Sequence, residues 1–155
     1  MVRQKGSLLL LALCEGNHCK SGDKGTDSGH GLIQVFKRQK KSWKRIGKIK
    51  LPEEADFEDY ADIAIRGNKL AIVSQACSAL WVGKLSFSPL KISGKGKVYY
   101  FPLDKKDRCV YCNVEGVDWL TDNRVLLVSD RIKTDDQKGR YARKDKSIHI
   151  MRIPS

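Results

Sequence analysis

Internal repetition constrains this chain more than any other feature, because a period shared by several segments sets how many similar units the fold must contain. Three stretches align without gaps around a small residue followed by a polar one: Leu11-Ala12-Leu13-Cys14-Glu15, Ala71-Ile72-Val73-Ser74-Gln75 and Leu126-Leu127-Val128-Ser129-Asp130. Their first residues stand 60 and 55 positions apart. Each is a short apolar run ending in a polar loop, the pattern of a strand buried on both faces. A second match precedes two of them, Tyr60-Ala61-Asp62-Ile63-Ala64-Ile65 before Gly67-Asn68, and Val114-Glu115-Gly116-Val117-Asp118-Trp119 before Asp122-Asn123. Gly-Asn and Asp-Asn suit tight hairpins because these residues tolerate positive φ. Another strand follows each run, at Leu32 to Lys37, Leu80 to Phe87 and Ser147 to Ile153. In the second of these, Trp81, Gly83, Leu85 and Phe87 alternate with Val82, Lys84 and Ser86.

With strands lettered A to D from the inside outward, residues 8–51 supply B (Leu8–Leu13), C (Leu32–Lys37) and D (Lys44–Leu51). Residues 60–103 supply A (Tyr60–Ile65), B (Leu70–Ser74), C (Leu80–Phe87) and D (Lys97–Leu103). Residues 114–153 supply A (Glu115–Leu120), B (Val125–Ser129) and C (Ile148–Ile153). No segment reads as an amphipathic helix. Many short strands joined by turns indicate a sandwich or a propeller, and the period selects the propeller. The expected fold is therefore all-β: a single domain over residues 1–155, forming a partial β-propeller of about three four-stranded antiparallel blades. The first blade lacks strand A and the last lacks strand D. A compact ten-stranded barrel or sandwich is the alternative.

Propeller rings close with about 4 to 8 blades, so an open array of three leaves apolar faces uncovered at both ends. The expected partners are thus missing blades from a longer chain, or a second copy that completes the ring by self-association. Composition bears on other partners. The 41% hydrophobic and 31% charged fractions are those of a folded, soluble domain, while a net charge of +12 raises nucleic acid as a partner. The excess gathers at Lys37, Arg38, Lys40, Lys41, Lys44, Arg45, Lys48 and Lys50, with a second group at Arg140, Arg143, Lys144 and Lys146. Both groups fall on outer strands or connections, where solvated lysine also discourages edge pairing. No recognition helix or aromatic RNA-binding signature accompanies them, so a solvated basic surface is favoured over a nucleic-acid site.

The N-terminus imitates a secretory signal, with Met-Val-Arg-Gln-Lys-Gly ahead of the apolar run Leu8 to Cys14. No small-x-small cleavage site follows, and the run aligns with two later strands, so it is expected to be a buried strand. It is also too short to span a bilayer, which takes about 20 residues.

The Val114-Glu115-Gly116-Val117-Asp118 opening and the Ser129-Asp130 strand end resemble blades of phytase-like esterase and lactonase-type propellers. Together with Cys14-Glu15-Gly16-Asn17 and Asp59-Tyr60-Ala61-Asp62-Ile63, they also look like an uncharacterised family of propeller-like proteins. The resemblance covers most of the chain as a pattern. It implies acidic and amide side chains around a central channel that, in the enzymatic families, hold calcium.

Residues at the ends of inner strands reach the mouth of such a channel. Equivalent positions carry Glu15, Gln75 and Asp130, with Glu115, Asp118 and Asp62, and also Asn113 and Asp59, at or near A-strand starts. These form the candidate ligand-binding face, and Glu15, Asp130 and Glu115 are the candidate metal ligands. Calcium takes about 6 to 8 oxygen ligands, more than three blades supply. The competing expectation is that the same groups accept hydrogen bonds from strand-end amides and turns.

Five cysteines, Cys14, Cys19, Cys77, Cys109 and Cys112, leave three states open. They are free thiols, at least one loop disulfide, or a zinc site in which Cys109-x2-Cys112 and Cys14-x4-Cys19 combine with His18 and His30. Serine hydrolysis finds no support, since no Gly-x-Ser-x-Gly elbow occurs and His149 alternates with Ile148 and Ile150 along a strand. The glycine-rich segment from Cys19 to Gly31 lacks the phosphate-loop order and reads as a mobile B–C loop, and Lys133 to Lys146 as its counterpart.

Three functions follow from these residues. The first is a binding module that recognises a protein or small ligand at its channel face. The second is a calcium-dependent ester or phosphoester hydrolase, and the third a basic nucleic-acid-binding protein.

Overall fold

A computed structural model describes residues 1–4, 6–131, 141–144 and 146–154, the backbone alone for 141–144. Its regular structure is almost entirely strand. The only helical pieces among the described residues are the α-helix α1 (Asp23–Thr26) and 3-10 turns at Asn17–Cys19 and Glu53–Ala55.

The first sheet runs β1 (Val2–Gln4), β2 (Ser7–Leu13), β3 (Leu32–Arg38), β4 (Trp43–Lys50), every neighbouring pair antiparallel. The central sheet runs β5 (Asp62–Arg66), β6 (Lys69–Ser74), β7 (Ala79–Phe87). The long β7 then serves two outer strands: its second half pairs with β8 (Leu90–Ile92) and its first half with β9 (Lys97–Tyr100). After β10 (Cys109–Tyr111), the third sheet runs β11 (Val114–Thr121), β12 (Arg124–Ser129), β14 (Ile148–Arg152). Between its last two strands in sequence, β13 (Tyr141–Lys144) leaves that sheet to pair in parallel with β10.

The apolar run at the N-terminus is thus an inner strand, with Leu9 and Leu11 buried. The expectation that the first unit lacks its inner strand is corrected. Val2–Gln4 folds back on β2 with Val2 opposite Leu9 and Gln4 opposite Ser7, and Val2 is buried. Gly6 sits at φ 75°, in the left-handed region a turn of this kind uses. The strand escaped sequence reading because its three residues, two of them polar, carry no alternation long enough to register. The third sheet has three strands among the described residues, and Lys133 to Arg140 of the expected second loop lie outside them.

Two cores lie on opposite faces of the central sheet. Leu70, Ile72, Trp81 and Leu85 pack with Leu9, Leu11, Ile33, Val35 and Ile49 of the first sheet. On the other face Ala64, Ala71, Val73 and Leu80 pack with Val117, Trp119, Val125 and Leu127 of the third. Consecutive side chains of a strand point to opposite faces, so an unbroken apolar run such as Leu70-Ala71-Ile72-Val73 feeds both cores at once. Trp81 shows how closely the layers fit: a Cβ on either Gly83 or Gly96 would run into its ring.

A cleft at the strand ends

The three aligned segments occupy the second strand of each sheet, β2, β6 and β12, and the residues just past β2 and β6, Glu15 and Gln75, emerge on one side with Glu115 of β11. Where β2 ends, a Gly16–Asp59 bridge ties the first sheet to the segment leading into the central sheet, and the Tyr60 amide donates to the Glu15 carbonyl at 2.8 Å. Asp59 closes the end of β6, accepting hydrogen bonds from Ser74 Oγ at 2.6 Å and from the Ala76 amide at 3.0 Å. The result is a cleft of about 400 Å³ lined by Leu13, Glu15, Asp59, Tyr60, Ala61, Gln75 and Glu115.

Of the residues singled out from the sequence, Glu15, Gln75 and Glu115 therefore come together, one from each sheet, with Asp59 among them. Three others do not line this cleft. Asp62 lies between sheets, where its Oδ2 accepts from the Val117 amide at 2.9 Å and its Oδ1 from its neighbour Ile63 at 2.7 Å. Asp118 is exposed on β11, and its Oδ1 accepts from the Trp119 amide at 2.8 Å. Asp130 is exposed just past β12, its amide donating to the Asn113 carbonyl at 3.0 Å.

Asn113 was legible only as a polar neighbour of the A strand, yet it is the most unusual group beside the cleft. It is buried at φ 47° and donates from Nδ2 to Glu115 Oε1 at 2.8 Å. Its Oδ1 is buried and has no hydrogen-bond partner among the described residues. A buried acceptor left without a donor costs about 1–3 kcal/mol.

The segment expected to be a mobile loop is instead pinned from within, by a residue that sequence reasoning passed over. Asn17 is fully buried, and its Nδ2 donates to the carbonyls of Gly25 (3.1 Å), Phe57 (2.9 Å) and Glu58 (3.1 Å). Its Oδ1 accepts the His30 amide at 2.9 Å and the Tyr60 hydroxyl at 3.4 Å. One amide thus ties both ends of the loop to the crossover into the central sheet. Tyr60, buried beneath, also donates to the Ala55 carbonyl at 2.9 Å, and burial pushes its pKa up to about 12. The close approach needs glycine, since a Cβ on Gly16 or Gly25 would meet the Lys20 carbonyl and one on Gly31 the Tyr60 ring. A run of glycines among polar residues does not distinguish such packing from flexibility.

Cysteine usage resolves in favour of one loop disulfide, Cys14–Cys19. Cys77, Cys109 and Cys112 are in no disulfide, and Cys109 and Cys112 belong to the core between the central and third sheets. The zinc site combining both cysteine pairs is excluded, because two of its four sulfurs are bonded to each other. His149 is a packed strand residue. Its Nε2 lies 3.0 Å from both Ser129 Oγ and Ser147 Oγ, and its ring stacks on Tyr111. Both Ser129 and His149 are buried and neither lines the strand-end cleft.

The first basic group is spread along β4 and the end of β3, where Lys37, Arg38, Lys44, Arg45, Lys48 and Lys50 are exposed on the free edge of the first sheet. Arg140 lies outside the described residues, as do the side chains of Arg143 and Lys144. No helix among the described residues is long and apolar enough to cross a membrane. Comparison of the chain with family models, with curated proteins and with solved structures gave no match.

Proposed function

We propose that this chain is a propeller-type binding module whose strand-end cleft takes a cationic group, either a divalent ion or the amine of a small ligand or protein partner. The observation that carries the reading is the convergence of Glu15, Asp59 and Glu115 on one cleft that none of its lining residues makes basic. Three acidic side chains lining one cleft attract a cation, and they stand out in a chain of net charge +12. The likeness of Val114 to Asp118 to phytase-like and lactonase-type blades points the same way.

The propeller part of the reading rests on three sheets that stack in sequence order, each with its aligned segment in second place. The outer face of the third sheet is apolar and open, with Leu120, Val128, Ile148 and Ile150 exposed. In a propeller-type assembly a further sheet of the same kind covers that face.

Calcium and, separately, spermidine titrated into wild type and a Glu15→Gln, Glu115→Gln double variant test the cleft. Either cation is expected to raise the wild-type melting temperature, since a ligand that binds only the folded state stabilises it, and to leave the variant unchanged. Both carboxyls reach solvent and glutamine keeps the oxygen that accepts from Asn113, so the variant folds. If neither cation shifts the wild type, or if both shift the variant equally, the cleft is not a cation site.

A further inference from the structure

We infer that His18, Asp27 and His30 form a binding site for a transition-metal dication of the zinc class, independent of the strand-end cleft. These three side chains each present a ligand atom, and the atoms all lie within 4.8 Å of one another. His18 Nε2 is 3.2 Å and His30 Nε2 3.7 Å from the same oxygen, Asp27 Oδ2. Bonds of about 2.0–2.1 Å to a tetrahedral zinc place neighbouring ligand atoms about 3.3 Å apart. The two distances to Asp27 stand close to that spacing already, and a metal there requires the two stacked imidazoles to turn until their ring nitrogens converge on it.

The backbone holds the two histidines in this relation. They lie at opposite ends of the loop, yet the His18 amide donates to the His30 carbonyl at 3.0 Å, and the His30 amide is fixed by the buried Asn17. His18 and Cys19 both adopt positive φ, 54° and 55°, at the end tied down by the Cys14–Cys19 disulfide. Asp27 enters from the end of α1. The imidazole rings stack with centroids 3.9 Å apart and 23° between planes, and both Nε2 atoms face the same carboxylate.

Donor chemistry selects the ion. Imidazole nitrogen suits zinc, copper and nickel, whereas calcium and magnesium take oxygen ligands. Both imidazoles are 41% exposed and Asp27 61%, so solvent reaches the centre and supplies the remaining ligand. Three protein ligands with an open fourth position is the arrangement of a zinc site that activates water or binds a further ligand atom. In this protein it sits on the loop that Asn17 anchors.

The test uses the full chain, disulfide intact, stripped with a chelator and with its remaining thiols alkylated so that Cys77 cannot contribute. Zinc chloride is titrated by calorimetry, and cobalt is added in parallel to read coordination from its visible d–d absorption. One zinc per chain is expected, with a tetrahedral or five-coordinate cobalt spectrum. Loss of outer-shell partners alone lowers metal affinity about 10–100-fold. His30→Gln and Asp27→Asn, which remove ligands, are therefore each expected to weaken binding by about a hundredfold or more. Neither change touches the backbone bond between His18 and His30, and near-ultraviolet circular dichroism checks that the loop is kept. Absence of binding, binding in either variant as tight as in the wild type, or an octahedral spectrum in cobalt would each overturn the assignment.

Discussion

The central and third sheets are made from the same kind of strand and end in opposite environments. In β6, Leu70 and Ile72 face one core while Ala71 and Val73 face the other, and all four are completely buried. In β12, Val125 and Leu127 are buried as fully, but Val128 between them and the strand end is 42% exposed, and on β14 Ile148 and Ile150 are 67% and 59% exposed. An apolar run in sequence states that a strand can be covered on both sides. Whether it is covered depends on what stands next to it, which the strand itself does not encode. The strand ends differ likewise: Ser74 reaches Asp59 at the rim of the cleft, while Ser129 turns inward to His149.

The largest test of this contrast is truncation of one apolar side chain in each sheet. Trp81→Ala empties a fully buried site between closely fitting glycines and is expected to cost about 3–5 kcal/mol in urea unfolding. Equal losses for Trp81→Ala and the Ile150→Ala variant considered last would mean that the outer face is covered as thoroughly as the inner one.

A smaller effect is expected at the crossover between the first and central sheets. Asn17→Ala removes an amide that serves five backbone and hydroxyl groups. With buried unsatisfied groups at about 1–3 kcal/mol each, some of which water recovers, the expected loss is about 2–4 kcal/mol. Hydrogen exchange at the His30 amide should accelerate in the same variant. Unchanged exchange would mean that Asn17 is not what orders the loop.

Tyr60→Phe removes a single buried hydroxyl and is expected to cost about 1 kcal/mol at neutral pH. It also has a pH signature whose sign is fixed. Burial raises the folded-state pKa to about 12, so the folded protein holds the proton more tightly than the unfolded chain, whose tyrosine titrates near its ordinary value of 10.0. The stabilisation is complete below pH 10 and is lost as pH rises towards 12. Thermal melts should therefore show wild type losing more stability than Tyr60→Phe across that window.

The smallest effect on stability is expected on the open face. Ile150→Ala should change unfolding free energy by no more than about 0.5 kcal/mol, as exposed substitutions usually do. Its consequence is expected in association. If a second copy supplies the covering sheet, sedimentation equilibrium will show wild type heavier than a single chain and the Ile150→Ala variant shifted towards one.

Much of the framework was readable in advance. The strands containing Leu8–Leu13, Leu70–Ser74 and Val125–Ser129 appear within a residue of where alternation and turn chemistry put them, because those signals are local. Val2–Gln4 and β8 were missed for the same reason, since three residues carry too little pattern. Glu15 and Gln75 could be nominated from the register of the aligned segments and Glu115 from the start of the third unit's A strand, but the same register also nominated Asp130, which does not line the cleft.

The residues themselves determined that this chain is all-β, in what order its strands run, and which side of each strand is apolar. Tertiary structure alone decided that Asp59 joins the cleft while Asp130 and Asp118 do not, and that Cys14 bonds Cys19. It also decided that Asn17 orders the loop and that His18 meets His30 across it. Each of these turns on the distance between groups separated by loops, and loop geometry is set by packing against the rest of the molecule. Alternation along a strand carries no information about it.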